Sequence, residues 1–317
     1  MLKLNTLSGF GSGVASPPPL DGGYIPGASG ASGTDKLTFS LGTTAVLTTA
    51  NTSTSRTYVV SMSNVAGGSG WFVSGTTHTV IADKLVYSTE VTTATTTADL
   101  TTGTQQASGT SDGSSAGYHS GGTTSGGTRI TTTEKLTYST EQSAVVAGAV
   151  LSTARNVAQS VSDSSGGAGY IMGGTTGAHQ VITDKLTFAT DTTAAEAGAN
   201  LTVGKIGGGA SSDPDGDHGY ISGGNIADVA TELADRIVFS TDTTAAQTSA
   251  DLSSAREGVG GVSDSPGDTG WFVGGWAATT DRLVFSTDTT AAATTADLPS
   301  SKALFGGGNC LSTTTAG

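Results

Sequence analysis

A glycine-aromatic segment recurs six times along the chain: "GYIPG" at Tyr24, "GWFVSG" at Trp71, "GYHSGG" at Tyr118, "GYIMGG" at Tyr170, "GYISGG" at Tyr220 and "GWFVGG" at Trp271. Successive aromatics lie 47, 47, 52, 50 and 51 residues apart. A period near fifty filled with strand-like pieces restricts the chain to a repeating β architecture, in which each unit buries its apolar face against its neighbours.

Further markers follow in fixed order within each unit. An acid-base-apolar-x-aromatic segment begins at Asp35, Asp83, Glu134, Asp184, Asp235 and Asp281. Its alternation is that of a strand with one apolar face. Leu37 with Phe39, Leu85 with Tyr87, Leu136 with Tyr138, Leu186 with Phe188, Ile237 with Phe239 and Leu283 with Phe285 supply twelve core side chains. An acidic residue then opens a turn in five units, at Glu90, Glu141, Asp191, Asp242 and Asp288, before a polar Thr- and Ala-rich outer strand. The first unit departs here with "LGTT" at Leu41. A leucine-x-x-x-basic step comes next, from Leu151 to Arg155, Leu201 to Lys205, Leu252 to Arg256 and Leu298 to Lys302. Thr52 to Arg56 and Leu100 to Thr104 are weaker copies. Eight residues further on stand Asn64, Asp112, Asp163, Asp213, Asp264 and Cys310, all but the last suited to a turn stabilised by its own side chain.

This order of markers resembles the kelch repeat over nearly all of residues 9–310. The resemblance implies an all-β, six-bladed β-propeller with four antiparallel strands per blade, the innermost lining a central channel. One propeller of this size accounts for residues 1–317 as a single domain. Two segments compete for one inner strand, "GFGSGVAS" at Gly9–Ser16 and "LFGGGNCL" at Leu304–Leu311. The C-terminal copy is expected to pair into the first blade as a clasp, with the N-terminal copy beside it. The alternative is that one copy pairs with another subunit in a homo-oligomer.

The net charge of -13 disfavours nucleic acid as a partner. Of thirteen Lys and Arg, six follow the acid of the apolar strand (Lys36, Lys84, Lys135, Lys185, Arg236, Arg282) and five occupy the leucine-basic step (Arg56, Arg155, Lys205, Arg256, Lys302). Bases tied to repeat register are read as partners for carboxylates within or between blades. No apolar run suits a signal peptide or membrane insertion, and the lone Cys310 allows no internal disulfide. The Thr-, Ser- and Gly-rich texture is similar to that of tail and fibre proteins of tailed bacteriophages. That similarity implies a virion-surface, extracellular location reached without a signal peptide.

Site candidates are few. His78, His119, His179 and His218 fall at different registers, which argues against the shared metal site of kelch-type copper oxidases and reads them as surface loop residues. "SDSPGDTGW" has the letters but not the spacing of a sialidase Asp-box, and Arg56, Arg155 and Arg256 hold a repeated structural position rather than forming a triad. In "SDPDGDHG", Asp213, Asp215 and Asp217 alternate as carboxylates do around calcium, the one cofactor the chain suggests; the competing reading is an ordinary turn with solvated carboxylates. Trp276, in a loop that varies between units, is a candidate to stack on a sugar or anchor a partner; the competing reading is packing on the adjacent blade. The expectation is a non-enzymatic virion-surface or tail propeller, attaching to host glycan or to other virion proteins. The alternative is a polysaccharide hydrolase or oxidase with its site at the channel mouth.

Overall fold

The computed structural model describes residues 21–27, 32–213, 215–264, 266–305 and 311–312. They form six four-stranded antiparallel sheets, accompanied by two small two-stranded ribbons and by 3-10 turns instead of α-helices. Blade 2 is typical, with Val60–Asn64, Ser69–Val73, Ala82–Val86 and Val91–Ala94 paired in chain order. Blade 3 begins at Ser108–Ser111, blade 4 at Gln159–Asp163, blade 5 at Gly209–Asp213 and blade 6 at Val259–Asp264. These first strands touch one another from blade to blade and so surround the axis of a ring, a β-propeller. Outer strands such as Thr192–Ala195 are largely exposed, which explains their Thr and Ala content.

Blade 1 has a mixed origin. Gly23–Ile25, Thr34–Thr38 and Thr43–Leu47 come from the start of the chain, whereas its innermost strand is Leu311–Ser312, paired antiparallel with Gly23–Tyr24. The C-terminal copy therefore closes the ring, as expected; the competing segment at 9–16 lies outside the described residues. The closure extends beyond two residues. Lys302 reaches Asp35 at 3.0 Å in a buried ion pair, and Leu304 packs in one cluster with Ile25, Leu37 and Phe39.

All twelve apolar side chains of the third strands are buried. At roughly 1.5–3 kcal/mol each, they supply the main drive to assemble the sheets. Five of the six third-strand aromatics stack on the preceding blade: Tyr87 on Tyr24, Tyr138 on Trp71, Phe188 on Tyr118, Phe239 on Tyr170 and Phe285 on Tyr220, with centroids 4.8–5.7 Å apart.

Charge follows the same register. The base of each third strand lies opposite the second-strand aromatic, as in Tyr170 with Lys185. From there, in five of the six blades, it reaches the acidic turn of the following blade: Lys36 to Glu90, Lys84 to Glu141, Lys135 to Asp191, Lys185 to Asp242 and Arg236 to Asp288. The second-strand tyrosines add a hydroxyl donor to the same carboxylates, at 2.6 Å for both Tyr118 to Asp191 and Tyr170 to Asp242. Burial opposes the Asp191 charge, yet the Tyr118 hydroxyl and Lys135 together hold its carboxyl below the usual range. Tyr170→Phe, which deletes one donor and leaves the ring stack, is expected to lower stability by about 1–2 kcal/mol in urea denaturation. An unchanged midpoint would show that Asp242 does not depend on the hydroxyl.

The leucine-basic step makes a second, buried set of pairs within each blade. Arg155 meets Asp184 at 2.6 Å, Lys205 meets Asp235 at 2.9 Å and Arg256 meets Asp281 at 2.6 Å, with Arg56 to Asp83 and Lys302 to Asp35 completing the set. Burial pulls the Lys205 ammonium below its ordinary pKa, against the attraction of Asp235. Blade 3 departs in a concerted way. Thr104 stands where the base would be, Glu134 replaces Asp and accepts the backbone N–H of Thr101 and Thr102, and His119 replaces the usual Phe or Ile beside them. His119 is thus no surface loop residue. It is 2% exposed, with its Nε2 3.1 Å from the Thr104 hydroxyl.

Candidate functional site

The axis is where a propeller usually has room for chemistry. Here the described inner strands surround a cavity of about 80 Å³ lined only by Ser, Gly, Ala and Val. The serine one residue before each turn forms a relay from blade to blade. Backbone N–H groups of Ser63, Ser111, Ser162 and Ser212 donate to the hydroxyls of Ser111, Ser162, Ser212 and Ser263 at 2.8–3.1 Å. These serines escaped the reading of the motifs, although a repeated Ser-Asn or Ser-Asp dipeptide marks all five positions. Among the described residues the lining presents hydroxyl, backbone and small apolar groups.

The aspartates of "SDPDGDHG" occupy different places in the blade. Asp213 ends an inner strand and folds over its own turn, so that a Cβ added to Gly216 would fall 2.0 Å from Asp213 Oδ2. Asp163 does the same in blade 4, where its Oδ1 accepts the Gly166 N–H at 2.7 Å. Asp217, in the left-handed region at φ +67°, accepts the backbone N–H of Ser240 at 2.8 Å and its hydroxyl. Asp215 is exposed beside them. No group of three or more His, Cys, Asp or Glu placed to hold a metal ion occurs among the described residues. His78, His179 and His218 are half-buried in three different blades, and His179 Nδ1 accepts the Ala227 N–H at 3.1 Å.

Trp276 occupies the rim formed by the loops between second and third strands. It is 60% exposed and sits at φ +56°, its N–H donating to the Lys302 carbonyl at 2.9 Å. Phe305 meets it edge-on at 6.0 Å and meets Tyr58 at 5.9 Å, both at steep angles. Three aromatics from blade 6, the closing segment and the approach to blade 2 are thereby gathered at one mouth of the ring. Phe305 also covers Gly207 and Gly258, at which an added Cβ would meet its ring at 2.7 and 2.9 Å. Trp276 was legible from its loop, whereas Tyr58 and Phe305 are separated from it by too much sequence to be grouped without coordinates.

No protein-family model matches the chain, and no curated protein matches it either.

Proposed function

We propose that this propeller is a non-enzymatic attachment module of a virion surface or phage tail, holding host glycan at the Trp276 rim while docked on other virion proteins. The aromatic cluster carries the reading. Trp276 presents an open indole face, Phe305 and Tyr58 stiffen its base, and an aromatic face is a common platform for the apolar side of a sugar ring. A channel whose described lining carries no ionisable groups supports binding over turnover, and the acidic charge balance disfavours nucleic acid. The Ser- and Thr-rich composition and the kelch-like order of motifs support the virion assignment.

A glycan array run beside a product assay on host polysaccharide tests the reading. Binding without turnover is expected, with Trp276→Ala weakening it by about tenfold or more and leaving the melting temperature unchanged. Released oligosaccharide would replace this function with the hydrolase or oxidase alternative.

A further inference from the structure

The seam between blades 6 and 1 breaks the rule kept by the other five. In each of those a turn residue in the left-handed region, at φ 52–54°, presents a carboxylate to the base of the preceding blade. Blade 1 makes the same turn. Gly42 sits at φ +56°, and its N–H bonds the Thr38 carbonyl at 2.9 Å as Glu90 bonds Val86 at 2.8 Å. The backbone is kept and the carboxylate is gone.

Arg282 faces that turn from blade 6. Its guanidinium lies 5.6 Å over the Trp271 ring, and it is exposed where the other five third-strand bases are half-buried. None of the carboxylates among the described residues lies within ion-pair distance of it, and those residues include every Asp and Glu of the chain. No side-chain carboxylate of this protein is therefore available to complete the seam.

Beside Arg282 opens a recess of about 450 Å³, with Gly42, Trp271, Ser40, Thr289 and Thr295 in its walls. A neighbouring recess between blades 5 and 6, about 510 Å³, shares the base and turn positions (Arg236, Phe285, Ser286, Asp288) but extends over the inner turn of blade 5, where Asp213, Asp215 and Asp268 also line it. At the positions they share the two differ by one carboxylate: Asp288 pairs with Arg236 in one, whereas in the other Gly42 leaves Arg282 among hydroxyl and apolar groups, Phe39, Leu41 and Val284 included, with Asp21 engaged by Ser40.

We propose that the recess between blades 6 and 1 binds a hexuronate residue, an acidic sugar whose carboxylate takes the place that Gly42 leaves open opposite Arg282. A guanidinium presents a planar fork matched to a carboxylate. The threonine hydroxyls suit the hydroxyls of a sugar ring, and the space exceeds what an acidic side chain alone would fill. This goes beyond the rim reading, because the acidic turns and the Trp276 loop lie at opposite ends of the third strand.

The test is a titration at pH 7 with glucuronate, with glucose and with a short glutamate-rich peptide, followed by calorimetry in every variant and, where Arg282 is present, on its side-chain Nε–H signal. Glucuronate is expected to shift that signal saturably, and glucose is not. Arg282→Gln and Gly42→Asp are each expected to weaken binding by about tenfold or more. Gly42→Asp should also raise the melting temperature, since Asp adopts the same backbone conformation at Asp191, Asp242 and Asp288. Arg282→Gln, at an exposed position, carries the test if Gly42→Asp does not fold. Trp276→Ala should leave glucuronate binding intact, so failure of the rim reading and failure of this one are told apart. Glucuronate binding no better than glucose overturns the proposal. Undiminished affinity in Arg282→Gln, or a response to the peptide alone, does so too.

Discussion

Arg155→Leu is expected to destabilise the ring by about 3–5 kcal/mol, one of the two largest effects that a single change should produce here. Its partner Asp184 is 0% exposed, so the substitution leaves a carboxylate shut away from water with only the Ser152 N–H, at 3.1 Å, for compensation. The same change removes the bond from Arg155 Nη2 to the Ile171 carbonyl, 2.9 Å. The charge itself need not be favourable, because removing two ions from water offsets most of what their attraction returns. The double variant Arg155→Leu/Asp184→Leu should therefore recover most of the loss. Chemical denaturation of the three proteins reads this directly. A cost below about 1 kcal/mol for the single variant would mean that water reaches Asp184 and that the pair is a surface bridge in energetic terms.

Acidification supplies the second large effect. Burial holds His119 neutral, its pKa pushed down from 6.5 to about 4 against the smaller opposing pull of a backbone hydrogen bond. Between those values the unfolded chain binds a proton that the folded ring does not, so stability falls as the pH falls. The contribution is full above pH 6.5 and is lost progressively down to about pH 4, on the order of 3 kcal/mol in all. His119→Gln keeps a polar group for Thr104 and removes the titration. Urea midpoints measured from pH 7 to pH 4 should fall less steeply for the variant. Parallel curves would place the proton elsewhere.

The fold was readable because its determinants are periodic. Leu85 with Tyr87, or Ile237 with Phe239, repeats a strand alternation at a fixed offset from a glycine-aromatic pair, and periodicity survives any uncertainty about a single residue. The bases were readable for the same reason: ten of the eleven tied to repeat register have a carboxylate within 4.0 Å, between blades for the third-strand set and within blades for the leucine-basic set. What escaped was whatever breaks the period. Thr104, Glu134 and His119 look like three unrelated deviations along the chain, and only contact shows them to be one exchange of a buried ion pair for a carboxylate held by backbone N–H groups beside a hydroxyl and an imidazole. The "LGTT" departure was visible, but Arg282 lies some 240 residues away, and nothing local links the two. Phe305 and Trp276 are likewise neighbours through ring closure alone.

Ring closure by Leu311–Ser312 also bears on how the molecule is made. During synthesis the first blade emerges early and then waits, three-stranded, while five complete sheets are added behind it. Its edge receives Leu311–Ser312 only after the strands of the other five blades have left the ribosome. Entropy scarcely penalises so long a wait, since loop closure grows only with the logarithm of length. The hazard is an encounter with a stranger, because an unpaired strand edge accepts any segment that reaches it first. Slow elongation would lengthen that window, and a nascent chain stalled near residue 300 would be a sticky arc, not a ring.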